Sequence, residues 1–207
     1  MAGGTKRLPR AVREQQMLDA SVTVFSQYGF RETSMDAIAA EAEISKPMLY
    51  LYYGSKDELF SACIERESAR FIEAMSVGFD PALSQREQAR TVVREFLRYV
   101  HDNSRSWRVL YRVAQGTATF THFIAEGRSR ITGMVTELIR QGTTVDEARD
   151  IDFELTAVAI VGAGEAVADR ITEGDVDIDT ATDLLVGIVW RGLKGVGVRN
   201  PVAPAEQ

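Results

Sequence analysis

Lys46, Tyr50, Tyr52 and Lys56 bring two ammonium groups and two phenols into one short stretch of chain. Lysine meets phosphate as a point charge, and a tyrosine hydroxyl reaches phosphate oxygens. Ser45, Pro47 and Met48 lie among them. Proline and methionine side chains suit a thymine methyl, and Lys46 suits a guanine edge or a phosphate. This is chemistry for holding a nucleic-acid surface, not for making bonds. The sequence has no Ser/His/Asp, Cys/His or H-E-x-x-H pattern and no glycine-rich phosphate loop, so no enzyme is expected. His101 and His122 have no Cys or His partner at ligand spacing, so neither a metal site nor a cofactor is expected.

The elements that must position these groups lie between Thr33 and Leu59, TSMDAIAAEAEISKPMLYLYYGSKDEL. Thr33 and Asp36 stand at capping-box spacing, which predicts a helix starting there with Ile38, Ala39 and Ala42 on one face. Glu43-Ile44-Ser45 reads as a tight connection. Ser45 and Pro47 open a second helix, because proline is tolerated in a first turn. Leu49 and Tyr53, at i and i+4, are expected to face the core and leave Lys46, Pro47, Tyr50 and Tyr52 outward. Gly54 breaks the run, and Ser55-Lys56-Asp57-Glu58 is a capping box that starts a third helix. Helix, short turn and helix describe a helix-turn-helix. A small three-helix cap with half-buried tyrosines would read the same way.

Gly29-Phe30, Thr33-Ser34-Met35, Ile38-Ala39, Ala42, Ile44-Ser45-Lys46, Leu49-Tyr50, Tyr52-Tyr53 and Ser55 to Phe60 together resemble the N-terminal domain of TetR-type regulators. The resemblance runs without a gap from about Arg10 to Cys63. Leu51 departs from it, at a position where the family often has a polar or basic residue. The resemblance implies an all-α protein of about nine helices, a homodimer that reads a palindromic operator, and a small-molecule effector. The front of the second helix, Lys46-Pro47-Met48, would then enter the major groove. Thr33, Tyr50, Tyr52 and Lys56 would fix register through phosphate, and Ser34, Ser45, Arg7 and Arg10 would also lie at the DNA.

Across its 207 residues the chain has a net charge of −6, which does not suggest a DNA binder, so distribution decides. Lys6, Arg7, Arg10 and Arg13 make the first segment basic, with no acid before Glu14. That arm is either a solvated terminus or one that orders on DNA. The lone Cys63 cannot form an internal disulfide, which fits a reducing cytosol. Met1 to Pro9 lacks an apolar signal segment, and the most apolar run, Ala157 to Ala168, is short and interrupted by Glu165. A cytoplasmic protein is expected.

Helical periodicity predicts helices from about Arg10 to Tyr28, Ser55 to Val77, Ser84 to Asp102, Ser104 to Ala114, Gly116 to Gln141, Asp146 to Thr172 and Asp179 to Val196. Gly29, the Gly78–Pro81 stretch, Gly142-Thr143-Thr144 and the acidic turn Glu173 to Asp177 punctuate them. The expected domains are a basic arm (1–9), a helix-turn-helix domain (10–56), a helical effector-binding and dimerisation domain (57–200) and a tail (201–207).

Phe96, Tyr99, Trp107, Leu110, Tyr111, Phe120, Phe123 and Ile124 serve either as plain core or as the lining of a ligand cavity. Glu165, with Asp169 at i+4, is a polar handle for a ligand, a satisfied structural group or a residue at a dimer seam. The Ala/Gly-rich Ala157–Ala168 run permits close helix approach. With the apolar final helix it suggests an intersubunit four-helix bundle, in which Val158, Gly162, Ala166, Leu185, Ile188, Val189 and Trp190 would meet a second copy. Arg105, Arg108 and Arg112 share a face that is a solvated row or a pocket mouth. The Arg10 arm, Ser45-Lys46-Pro47 and Trp190-Arg191-Gly192-Leu193 are similar to actinobacterial regulators of fatty-acid synthesis, a group that responds to long-chain acyl-CoA. That similarity puts a fatty-acyl effector first and an aromatic or cationic compound, as for a multidrug-efflux regulator, second. A helical adaptor that binds only protein is the reading without DNA.

Overall fold

The computed structural model describes residues 9–76, 82–114, 120–141 and 152–193. Among these the chain is helical and has no strand: α1 (Arg10–Glu32), α2 (Met35–Glu41), α3 (Lys46–Tyr52), α4 (Lys56–Ser76), α5 (Gln85–Asp102), α6 (Ser104–Arg108), α7 (Thr121–Gln141), α8 (Phe153–Glu173) and α9 (Ile178–Leu193). A π turn, Val109–Val113, follows α6 directly. The expected loop at Gly78 and Pro81, the break at residues 142–144, the tail and Arg7 lie outside the described residues.

Local sequence explains most boundaries. Gly29 takes φ 76°, which breaks α1 as expected, but a final turn runs on to Glu32. Ser84 and Glu87 cap α5 reciprocally: the Glu87 carboxylate accepts from the Ser84 amide at 3.1 Å, and Ser84 Oγ accepts from the Glu87 amide at 3.4 Å. The Ser84 hydroxyl, which donates to the Glu87 carboxylate, and the Ser84 amide hold that carboxyl below its ordinary range. The helix expected to start at Asp146 is described from Phe153, because Asp152 is the cap and accepts from the Leu155 amide at 3.0 Å. It ends at Gly174 in the left-handed conformation, φ 80°. Asp177 caps α9 through the Thr180 amide at 3.0 Å.

The chain divides into two compact units. The first comprises residues 1–70 and 103–125, the second residues 71–102 and 126–207, so the division falls inside α4 and inside α7. The first unit is larger than the span 10–56 expected for DNA binding, because α6 and the π turn pack on α1. Its core joins Met17, Leu18, Val22 and Phe25 of α1, Ile38 of α2, Leu49 of α3, and Leu59, Phe60 and Ile64 of α4 to Val109, Leu110, Ala114 and Phe120. Phe60 packs edge-on against Phe25 and Phe120, at centroid distances of 4.7 and 4.8 Å. Arg66 ties α4 to α1, pairing with Asp19 at 2.7 Å and with the buried Glu67 at 2.6 Å. Cys63 is fully buried here, and burial pushes its thiol up to about 12, so it is an apolar core group.

In the second unit α5 packs on α8 and α9. Leu97, Val100, Ala157, Ala168, Ile171, Ala181 and Leu185 are buried, and Arg90–Asp183 and Arg94–Asp179 pair α5 with α9 at the surface.

Candidate nucleic-acid interface

The site is built on a turn with a strained residue. α2 ends in a Schellman arrangement: the Glu43 amide donates to the Ala40 carbonyl at 3.1 Å and the Ile44 amide to the Ala39 carbonyl at 2.9 Å. Glu43 occupies the position that favours glycine and takes φ 52°. The chain thereby reverses within three residues and starts α3 at Lys46, with Pro47 in the first turn.

α3 hangs on one anchor. Leu49 is fully buried, while Lys46, Pro47 and Tyr50 are exposed. Met48 and Tyr52 are half-buried and lean on the core together with Tyr53, so Tyr52 is less outward than its spacing predicts. Arg10 Cζ stands 5.3 Å from the Tyr52 ring centroid and pairs with Glu14, and Arg13 donates to the Met48 sulfur at 2.9 Å. The start of α1 is therefore fastened beside α3, with Arg10 exposed. Leu51 is 80% exposed, the most open large apolar side chain in the described structure. It lies one turn on from Pro47, so the two form an apolar strip on the outer face of α3.

Two residues expected at phosphates, Thr33 and Lys56, make bonds within the chain. Ser34, not Thr33, caps α2: its Oγ accepts from the Ala37 amide at 3.1 Å. Thr33 is 3% exposed and donates its hydroxyl to the Gly29 carbonyl at 2.7 Å, which leaves no proton for a phosphate. Lys56 Nζ donates to the carbonyls of Phe30 (2.8 Å), Arg31 (3.2 Å) and Thr33 (2.9 Å) and lies 4.7 Å from the Phe30 ring centroid. Its three donors are taken by these carbonyls, so it fastens the end of α1. The Ser55 box closes with one shift: Ser55 Oγ accepts from the Glu58 amide, but the Glu58 carboxylate reaches the Gly54 amide, not that of Ser55.

Ser34 and Ser45 are exposed, and Ser45 makes no side-chain cap bond, so both hydroxyls are open to a phosphate. Lys46 Nζ is 2.7 Å from Asp36 Oδ2, and this bond holds the ammonium above the ordinary lysine range. The arrangement presents Ser34, Ser45, Lys46, Pro47, Tyr50, Leu51 and Arg10 from one small, tightly cored unit. It is a surface that can grip phosphates and meet apolar base edges.

Residues 17–63 match the family described as bacterial regulatory proteins, tetR family, and residues 85–192 match the tetracyclin repressor-like C-terminal domain. A TetR-like transcriptional regulator of known structure from Rhodococcus sp. RHA1 is 56% identical, with a TM-score of 0.82 over 92% of this chain and all of the other. The chain belongs to the TetR family. The HTH-type transcriptional activator FasR of Mycolicibacterium smegmatis is 28% identical over 94% of this chain and 90% of its own, in line with the similarity to actinobacterial fatty-acid-synthesis regulators. An HTH-type transcriptional repressor of Streptomyces coelicolor is also 28% identical, over 81% of this chain and 92% of its own. The FadR regulator of Bacillus subtilis, solved in complex with stearoyl-CoA, shares the TetR fold at 18% identity and a TM-score of 0.71, over 84% of this chain and 96% of that one.

The residues expected to line an effector pocket fall into both units of this TetR-family chain. Trp107, Leu110, Tyr111, Phe120, Phe123 and Ile124 belong to the first unit, where Leu110 and Phe120 are core residues and Trp107, 2% exposed, stacks on Tyr111 at 3.7 Å. Phe96, Tyr99, Glu165 and Asp169 belong to the second, where Phe71 packs against Phe96 and Tyr99 at 5.9 and 5.3 Å. Glu165 pairs with Arg128 at 2.8 Å through one oxygen, while Oε1 is buried without a hydrogen-bond partner. Burial pushes its carboxyl above the ordinary range despite Arg128. Arg105, Arg108 and Arg112 are exposed, and Arg105 approaches Thr23 Oγ1 at 3.4 Å.

Of the expected dimer residues, Val158, Ala166 and Ile188 are exposed and Gly162, Val189 and Trp190 half-buried. Leu185, 6% exposed, faces the core of its own unit, because it lies one turn on from the buried Ala181. Leu155 on α8 and Leu184 on α9 are outward apolar groups, 63% and 55% exposed. Among the described residues no helix is long and apolar enough to cross a membrane.

Proposed function

We propose that this chain is a ligand-responsive transcriptional regulator of the TetR type that binds a palindromic operator as a homodimer. Repression, relieved by a small apolar effector, is the mode ranked first, and the cytoplasm is the compartment. The observation that carries this reading is α3 itself: one buried Leu49 holds a short helix whose Lys46, Pro47, Tyr50 and Leu51 are left facing solvent. The apolar groups Leu155 and Val158 on α8 and Leu184 and Ile188 on α9 support pairing of two copies, since a two-fold reader needs a two-fold partner.

For the effector, a fatty-acyl molecule such as a long-chain acyl-CoA stands first. The stearoyl-CoA complex of the Bacillus FadR and the relationship to FasR support it. Effector binding would act through α4, which takes part in both units and carries Lys56, the clamp on the end of α1. An aromatic cation is the second reading, favoured by the unpartnered Glu165 Oε1. Titration of the protein–operator complex with an acyl-CoA chain-length series and with planar aromatic cations tests the choice. Release by long acyl chains alone supports the first reading, and release by cations alone replaces it with the second.

A further inference from the structure

Asp36 is an acid on the face that the proposed function turns toward DNA. Its place in the first turn of α2 explains its charge locally, because a carboxylate there is favoured by the helix dipole. That does not explain its contact. Asp36 reaches across to α3 and meets the ammonium of Lys46, the first residue of that helix, at 2.7 Å. Both side chains are exposed, at 68% and 46%, so neither is held by burial. An exposed pair of this kind adds little to stability, so what it does is set where the Lys46 ammonium is held.

We propose that Asp36 is a specificity-determining residue, which keeps Lys46 paired on any DNA and leaves its two remaining N–H donors for a base-edge acceptor pair such as guanine O6 and N7. The inference rests on the DNA-binding reading of α3. A lysine neutralised by its own carboxylate displaces no counterion from DNA, so it adds nothing to the sequence-independent affinity. A guanine edge offers two acceptors in a fixed geometry, which the two free Lys46 donors meet without leaving Asp36. Operator affinity then keeps the Lys46 contact while non-specific affinity loses one phosphate, which widens the gap between them.

Asp36→Asn and Asp36→Ser, each made with Lys46 intact and with Lys46→Gln, test this by fluorescence anisotropy on a random-sequence duplex and on a selected operator. Thermal melts of all variants confirm the fold, which an exposed substitution preserves. With Lys46 intact, both Asp36 variants are expected to bind the random duplex about fivefold more tightly, with a log–log salt slope steeper by about 0.9. Operator affinity changes by less than about twofold, so the specificity ratio falls. In the Lys46→Gln background the gain on random DNA shrinks to about twofold or less, since no lysine is left to free. An equal gain in both backgrounds overturns the proposal and makes Asp36 a plain repelling charge. No gain in either overturns it as well. A wild-type protein that binds neither duplex at low salt overturns the DNA-binding reading itself, which separates the two failures.

Discussion

Lys56 Nζ donates to the backbone carbonyl of Thr33 at 2.9 Å, and the same ammonium takes the carbonyls of Phe30 and Arg31. The first residue of α4 thus closes the last turn of α1 where the chain enters α2. Lys56→Ala strips three carbonyls of a charged donor, and we expect a loss of about 1–3 kcal/mol. That corresponds to a fall in melting temperature of roughly 2–12 °C. The salt slope of DNA binding should stay within experimental error, because Lys56 contacts no phosphate in this reading. A slope lower by about one, with unchanged stability, would return Lys56 to the DNA surface.

The Glu43 backbone makes the opposite prediction. A non-glycine residue at φ 52° carries strain of about 1–2 kcal/mol, part of which glycine gives back as unfolded-state entropy. Glu43→Gly is therefore expected to stabilise the protein by roughly 0.5–1 kcal/mol, read as a higher urea midpoint with an unchanged slope. A lower midpoint would mean that the Glu43 side chain contributes more than its backbone loses.

Tyr50→Phe removes one exposed hydroxyl and should weaken all DNA sites by a similar factor, about three- to tenfold. Leu51 should behave differently. Replacing each operator thymine by deoxyuracil removes only a methyl group, and one position per half-site should lose about threefold to tenfold with wild-type protein. Leu51→Ser should abolish that difference, and a difference that survives it would take Leu51 out of the groove.

Much of the first unit is legible in the sequence because caps and breakers are local signals. Gly29, Pro47 and the Leu49 anchor sit where spacing puts them, and the Ser55 box forms with its Glu58 carboxylate shifted to the Gly54 amide. The failures are those where two segments distant in sequence meet. Thr33 and Ser34 compete for one cap, and the loser turns its hydroxyl back to Gly29. Lys56 finds carbonyls more than twenty residues away, which no local pattern signals. Leu185 and Leu184 are neighbours with the same chemistry, and only the seating of α9 on α5 decides which one is buried. Leu51 was readable as a departure from the family pattern, but only its exposure makes it a candidate reader of bases.

The outward apolar groups of α8 and α9 predict assembly. Leu184→Glu with Ile188→Glu should shift sedimentation from dimer to single chain at micromolar concentration, because two carboxylates would have to be desolvated at the seam. Both residues are exposed within the chain, so its melting in the monomeric state is expected to stay cooperative. A dimer unaffected by the pair would move the interface elsewhere.

Glu165 supplies a pH prediction. Burial raises its carboxyl above 4.5 in the folded state, so the fold binds a proton more tightly than the unfolded chain does. This term favours folding at low pH and is lost as pH rises from about 4.5 through the raised folded value. Glu165→Gln keeps the shape without the charge and should raise the melting temperature at pH 7, with a flatter profile above pH 4.5. A lower melting temperature at pH 7 would show that the Arg128 pair outweighs the burial.

The central claim is that α3 reads DNA as one half of a two-fold pair, and selection from a random duplex library by the purified full chain at moderate salt tests it most directly. The account predicts enrichment of a palindrome whose two half-sites are related by two-fold symmetry, with half-site preference altered by Pro47 or Met48 substitutions and overall affinity lowered by Tyr50→Phe. Enrichment of no sequence, or of a single half-site without a symmetric partner, would contradict it.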